Sequence, residues 1–330
     1  MNIVCFHLNQ VGDLVFSLPA LKCLRDSFSD SIITSVVRPG QIEVLGSAGL
    51  VDHILPRGSR LNGDKLGLVN RLTSNKYDLA ITFSQSAECA FLAFVSGAPK
   101  RVCFINTSLG MLLTHHIDFN HPPSTKNNLQ LVTAIGAQTT KGDYSGMLKP
   151  TSNQMERADK ILAEHGIGSD EPIVAFAPGT SGRRSIKEWT DEGYAALGHY
   201  LTDQGTRVVI LGTLPSSNII KECGQIVDLS GKTNLGEVVA ILHKCKALVA
   251  VDSGVLHLGA ATGTSVVGLY GPSNPNFTGP QGEGHIVLTS GAECSPCIKT
   301  ECAHNRKCMT NLKIEDVITA VDKILQTQDS

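Results

Sequence analysis

Val251-Asp252-Ser253-Gly254-Val255-Leu256-His257-Leu258-Gly259-Ala260-Ala261 follows the apolar run Ala247-Leu248-Val249-Ala250. The run reads as a buried strand, and the small-residue stretch 256–262 reads as a helix packed closely on a sheet. Asp252, Ser253 and Gly254 then fall at a helix N-terminus, where unfilled backbone N–H groups and the positive end of the dipole suit a phosphate. His257 lies four residues after Ser253, on the same face of the first turn. The other reading is an ordinary Asp or Ser N-cap, with a glycine that only permits close packing. His257 favours the anion site, because a positive dipole end opposes a protonated histidine unless an anion compensates.

Outward from this junction the same alternation recurs. In the second half, 173–177, 207–211 and 265–269 read as further strands, and 191–204, 235–243 and 314–325 as helices. Leu235, Val238, Val239 and Leu242 have core spacing, and Glu315-Asp316 suits a helix start. In the first half, 3–8, 32–37, 79–83 and 101–104 read as strands and 13–28 as a helix. Pro19 interrupts that helix, which predicts a regular part starting near Leu18. A further helix is expected to start in Pro122-Pro123-Ser124-Thr125 and run to Leu131. Strands alternating with helices imply parallel sheets built from right-handed crossovers. The polar stretch 148–153, with Pro150, is the expected linker, giving domains 1–150 and 151–330. Two doubly wound halves would leave a cleft between strand ends, where open α/β sheets bind ligands.

Length and composition agree. A chain of 330 residues suggests two domains. At 42% hydrophobic and 18% charged residues it can build a sizeable core and is not disordered. A net charge of −2 recruits no nucleic acid, and no apolar run reaches a membrane span. The start, Met1-Asn2-Ile3-Val4-Cys5-Phe6, enters a strand at once and reads as the mature start of a cytosolic protein. Of ten cysteines, Cys5, Cys23, Cys89, Cys103, Cys223 and Cys245 read as buried thiols. Cys294, Cys297, Cys302 and Cys308 cluster from a Cys-x-x-Cys onward, fitting a structural zinc or iron site, or else free or redox-sensitive thiols.

Two more stretches carry chemistry. The first βα turn, Leu8-Asn9-Gln10-Val11-Gly12-Asp13, lacks the dinucleotide fingerprint and places a carboxylate at the top of strand one. Asp13 is there a candidate general base or an N-cap. After the strand 173–177 comes Pro178-Gly179-Thr180-Ser181-Gly182-Arg183-Arg184-Ser185-Ile186-Lys187-Glu188-Trp189, a loop able to grip phosphate oxygens or merely a solvated basic loop. Trp189, the only tryptophan, is expected to anchor the loop to the core.

Together the motifs Val11-Gly12-Asp13, Leu18-Pro19-Ala20-Leu21, Ala177-Pro178-Gly179, Lys187-Glu188-Trp189, Leu229-Ser230-Gly231-Lys232-Thr233-Asn234-Leu235, Asp252-Ser253-Gly254-x-x-His257 and Tyr270-Gly271-Pro272 resemble glycosyltransferase family 9, the ADP-heptose:lipopolysaccharide heptosyltransferases. The resemblance spans nearly the whole chain in the right order. It implies a GT-B fold of two Rossmann-like domains with parallel sheets facing across a cleft, the first holding the acceptor and the second the nucleotide sugar. The last helix, about 313–327, would pack back on the first domain. It also implies an inverting transfer of heptose from ADP-heptose to a lipopolysaccharide inner-core acceptor. Asp13 would deprotonate the acceptor hydroxyl. Lys187, Thr180 or Ser181, and the Asp252, Ser253, Gly254 and His257 cluster would hold the diphosphate. Thr233, Asn234 and Leu235 would lie near the adenosine. Domain closure would bring Asp13 to the donor. No cofactor would be required for catalysis, since fixed dipoles and a lysine stabilise the leaving diphosphate. The cysteine cluster also occurs in part of this family. The expected location is cytoplasmic, with a peripheral contact at the cytoplasmic face of the inner membrane. Arg57, Arg60, Lys100 and Arg101 would meet an anionic acceptor, or else form a solvated surface. Two further readings stand beside this one. One is another nucleotide-sugar enzyme on the same fold, such as an epimerase; the other is a non-catalytic, metal-stabilised binding protein.

Overall fold

The computed structural model of the chain describes residues 1–58, 64–120, 123–139, 142–180, 185–297 and 299–328. The chain divides into two compact units, Met1–Tyr144 and Ser145–Ser330. In the first, six strands form one sheet: β1 Asn2–His7, β2 Ile32–Val37, β3 His53–Pro56, β4 Leu79–Thr82, β5 Lys100–Phe104 and β6 His115–Ile117. Their order is β3-β2-β1-β4-β5-β6, and every pairing is parallel. The second unit has β7 Ile173–Ala177, β8 Arg207–Ile210, β9 Val227–Asp228, β10 Ala247–Val251, β11 Ser265–Tyr270 and β12 Ile286–Thr289. Its order, β12-β11-β10-β7-β8-β9, is the same doubly wound pattern, again all parallel. In each sheet the strand order reverses between the first and fourth strands of the unit, which is where such folds bind ligands.

The central strands read as unbroken apolar runs because helices cover both of their faces. Every residue of β7 and β10 is buried. The helix Gly254–Thr262 lies close on this sheet because Gly259 has no side chain. A Cβ there would stand 2.5 Å from Leu248 Cδ2.

The helix after β1 runs Val11–Ser27, straight through Pro19. The expected start near Leu18 was too late. Pro19 lacks only the N–H that would have reached the Val15 carbonyl, and its ring is buried against the core. Gln10 N–H donates to Asp13 Oδ2 at 3.1 Å, which pins the first turn.

In the second unit, Trp189 is buried and meets Tyr194 edge to face at 5.1 Å, while its Nε1 donates to the Leu312 carbonyl at 3.2 Å. It anchors the loop after β7 to the core. The last helix, Ile314–Gln328, buries Val317, Ala320, Val321 and Ile324 in that same core. Tyr200 Oη donates to Asp322 Oδ2 at 2.6 Å, holding this helix to Asp191–Asp203. The segment after Tyr144 belongs to the second unit, where Leu148 N–H donates to the Ala261 carbonyl at 2.8 Å.

Candidate functional site

In the second unit the candidate side chains sit on loops at the carboxyl ends of β7, β9 and β10. Asp252 follows β10, and Ser253 is the N-cap of the helix Gly254–Thr262. Lys187 closes a short 3-10 turn, Ser185–Lys187, after β7. Because β7 and β10 are hydrogen-bonded neighbours, the two loops meet. Lys187 Nζ lies 2.5 Å from Asp252 Oδ2, and His257 Nε2 is 3.7 Å from Asp252 Oδ1. All three side chains are largely buried, with Lys187 12% and Asp252 8% exposed.

Burial alone would raise the Asp252 pKa. The His257 ring and the Lys187 ammonium outweigh it and hold this carboxyl well below the usual carboxylate range. The Lys187 charge is therefore already partnered inside the protein. An anion at the helix mouth would meet the first-turn N–H groups and share the ammonium with Asp252.

Ser253 does not cap its own helix with its side chain, and its Oγ is buried without a hydrogen-bond partner. Thr233 Oγ1 and Ser230 Oγ, on the loop after β9, are likewise buried and unpartnered. Buried hydroxyls are normally satisfied, so these orphans on the loops after β10 and β9 are candidates for ligand contacts. Asn234 serves the backbone. It caps the helix Leu235–Lys244, its Oδ1 accepting the Glu237 N–H at 3.0 Å while Glu237 Oε2 accepts its own N–H at 2.8 Å. Leu235 is the first residue of that helix. Thr180 donates both its N–H and its hydroxyl to Glu188 Oε1, at 3.0 and 3.2 Å, so its proton is directed into the loop itself. Ser181, Arg183 and Arg184 lie outside the described residues.

In the first unit, Asp13 is exposed in the first helical turn and lines a cavity of about 350 Å³ with Asn9, Phe16, Phe83, Gln85 and Asn128. Beneath it, His7 stacks on Phe83 with centroids 4.6 Å apart and rings 11° from parallel. Ser17 Oγ donates to the Leu14 carbonyl at 2.7 Å, so at 2.9 Å it accepts from His7 Nδ1. Burial pushes the His7 pKa down to about 3, so the ring is a neutral support for the cavity floor. Arg57 makes a two-pronged pair with Glu88, both contacts at 2.8 Å. Arg101 donates to the Ala98 and Leu112 carbonyls, at 2.6 and 2.9 Å. Both cations are engaged in holding the fold, and Arg60 lies outside the described residues.

The six scattered cysteines are buried, as expected. Burial raises the Cys245 thiol to about 12 and pushes Cys5 higher still. The expected zinc or iron site at Cys294, Cys297, Cys302 and Cys308 gains no support. Among the described residues no group of three or more His, Cys, Asp or Glu side chains is placed to hold a metal ion. Cys302 Sγ instead accepts the His304 and Arg306 N–H groups, at 3.4 and 3.2 Å, which lowers its pKa. Cys308 is buried on the short helix Lys307–Thr310 against Gly271, where burial raises its pKa.

Sequence reasoning did not single out Asn9, Gln85, Phe83 or Asn128. They come from separate loops and one helix, and no shared motif or spacing links them. Ser230 lay inside a quoted motif but was given no role.

The model of glycosyltransferase family 9 (heptosyltransferase) matches residues 66–307. That stretch takes in Lys187, the 229–235 loop and the Asp252–His257 junction, and begins after Asp13. The lipopolysaccharide heptosyltransferase 2 of Escherichia coli K12 is 26% identical over 298 residues, covering 85% of each chain. Among solved structures, a glycosyltransferase family 9 protein from Veillonella parvula superposes with a TM-score of 0.83 at 24% identity, covering 99% of this chain and 97% of its own. The Escherichia coli ADP-heptose lipopolysaccharide heptosyltransferase II does so with a TM-score of 0.83 at 21% identity, covering all of both chains.

Proposed function

The chain belongs to glycosyltransferase family 9, the heptosyltransferases, on a GT-B fold, and we propose that it moves a heptose from ADP-heptose to a lipopolysaccharide inner-core acceptor with inversion. The observation that carries this reading is the helix mouth at Ser253-Gly254. It joins unfilled backbone N–H groups, an orphan Ser253 hydroxyl and the buried Lys187–Asp252 pair. Such a site fits the negative charge that develops on a departing diphosphate, and it supplies fixed dipoles where a metal would otherwise be called on.

In this reaction Asp13 takes the proton from the acceptor hydroxyl as its oxygen attacks the anomeric carbon. The bond from that carbon to the diphosphate oxygen breaks, and ADP leaves with the electron pair. Attack from the face opposite ADP inverts the configuration. Lys187 and the N–H groups of the helix start stabilise the leaving group, with His257 as a phosphate contact and Asp252 as the organiser that positions both Lys187 and His257. Thr233 and Ser230 are candidates for the nucleoside. A lipid-linked acceptor would take the enzyme to the cytoplasmic face of the inner membrane. No helix among the described residues is long and apolar enough to cross one.

The test incubates the protein with ADP-heptose and delipidated core acceptors, following ADP release and acceptor mass. Wild type is expected to release ADP and add one heptose. Asp13→Asn should bind ADP normally but lose about 10²–10⁴-fold in kcat, the usual worth of a general base. No ADP release with any acceptor removes the transfer reading, and an Asp13→Asn enzyme as fast as wild type removes the base.

A further inference from the structure

Asn305 and Arg306 both hold left-handed backbone, with φ of 50° and 55°. Residues with side chains rarely adopt it, and two in succession persist only where the surroundings impose them. Here the Cys302 sulfur does so, accepting the N–H groups of His304 and Arg306 at 3.4 and 3.2 Å. The far end of the segment is fixed as well. Cys308 and Met309 follow on the helix Lys307–Thr310 and pack on Gly271, just past the end of β11. A Cβ at Gly271 would stand 2.5 Å from Met309 Sδ and 2.8 Å from Cys308 Sγ.

From this fixed backbone the Arg306 side chain reaches the loop after β7. Its Nη1 donates to the carbonyls of Ser185 and Glu188, at 3.5 and 3.2 Å, and those two carbonyls bracket Lys187. The Glu188 N–H closes the turn on the Ser185 carbonyl at 3.0 Å. Trp189 Nε1, on the Leu312 carbonyl at 3.2 Å, ties the same loop to the same C-terminal segment a second time. Residues 302–312 therefore clamp residues 185–189. A lysine carries its ammonium on a flexible stem, so where the head lies depends on how firmly its backbone is held. The head of Lys187 sits 2.5 Å from Asp252 Oδ2, at the mouth of the helix Gly254–Thr262.

We infer that Arg306 is a positioning residue for the donor diphosphate: it holds the backbone of Lys187 so that the ammonium is presented at the helix mouth, and Cys302 acts through it by fixing the Arg306 backbone. One of the clustered cysteines thereby gains a role, as a hydrogen-bond acceptor in the support of the donor site. The inference rests on the reading of Lys187 as a diphosphate contact.

The test is the affinity of the full chain for ADP, measured by calorimetry with no sugar present. Lys187→Met should weaken ADP about tenfold to hundredfold, the loss of a hydrogen-bonded charge, and Arg306→Ala about threefold to tenfold. In the Lys187→Met background Arg306→Ala should change nothing further, because the group it positions is gone. A serine oxygen accepts N–H groups as the sulfur does, so Cys302→Ser should bind ADP within about twofold of wild type while Cys302→Ala follows Arg306→Ala. If Lys187→Met weakens ADP but Arg306→Ala binds it as wild type does, the inference is overturned and the diphosphate reading stands. A loss of the same factor from Arg306→Ala with and without Lys187 also overturns it, since a general support of the fold would behave so. Equal losses in Cys302→Ser and Cys302→Ala remove Cys302 from the chain of contacts. If Lys187→Met itself leaves ADP affinity unchanged, the diphosphate reading of Lys187 falls and takes this inference with it.

Discussion

Replacing Lys187 with Met isolates what the buried ion pair at the helix mouth contributes. The Asp252 carboxylate would remain 8% exposed with its principal counter-charge gone. Removing one partner of such a pair generally costs about 3–5 kcal/mol, because an uncompensated charge stays buried. His257 stands 3.7 Å from the same carboxylate and tempers that loss, so we expect roughly 2–4 kcal/mol at pH 7. For a unit of this size that lowers Tm by about 5–15 °C. The pH dependence has a definite sign. Asp252 is held below its unfolded value near 3.9, so its contribution is complete above about pH 4 and lost as pH falls through the folded value. The gap between wild type and Lys187→Met should therefore be widest at neutral pH, begin to narrow below about pH 4 and close only as pH falls through the folded value. Urea unfolding followed by fluorescence reads this directly, because Trp189, the only tryptophan, is buried two residues from Lys187. The double variant Lys187→Met with Asp252→Asn should recover at least about 1 kcal/mol, since no unpaired charge is left. A cost below about 0.5 kcal/mol at pH 7 would refute the reasoning, as would a cost independent of pH or strictly additive single variants.

Two further outcomes follow from packing and burial. A Cβ at Gly193 would lie 2.6 Å from Trp189 Cζ2, a rigid ring atom, so Gly193→Ala should destabilise the second unit by about 1–3 kcal/mol and shift the Trp189 emission; an unchanged Tm and spectrum would contradict this contact. His7 is neutral when folded, with its pKa near 3 against about 6.5 unfolded, so the unfolded chain binds the extra proton between those values and stability falls as pH drops from 6.5 to 3. His7→Gln should flatten that acid limb in hydrogen exchange of the β1 amides, and an unchanged slope would show that His7 is not its source.

The parts of the fold legible in the chain were those where local pattern and tertiary environment agree. The strands that sequence reasoning found, β1, β2, β4, β5, β7, β8, β10 and β11, lie inside their sheets, where burial on both faces demands a continuous apolar run. The four it missed, β3, β6, β9 and β12, are the edge strands of the two sheets. They are short and half-exposed: His115-His116-Ile117 or Val227-Asp228 has no periodicity to read. Pro19 misled for the opposite reason. Local propensity argued for a break, and packing of an otherwise apolar helix overrode the loss of one hydrogen bond.

The candidate site shows the same division. Asp252, Ser253, Gly254 and His257 were legible because a strand-to-helix junction is written in consecutive residues, and dipole and N–H geometry follow from the junction alone. That Lys187 is an ion-pair partner of Asp252, 65 positions away, depends on β7 and β10 lying side by side, which no local pattern encodes. Thr180 turned toward Glu188 is likewise an outcome of where its loop folds back, whereas the Asn234 cap is a local capping box with Glu237. The clustered cysteines mark the limit from the other side: spacing brought four thiols near one another in sequence, while the backbone N–H groups around Cys302 and the burial of Cys308 set their surroundings. By itself the sequence determined the two α/β halves and the helix mouth, since these rest on contacts within a few residues. Only the tertiary structure decided which charges are already paired and which side chains gather around Asp13, because those depend on distant segments converging.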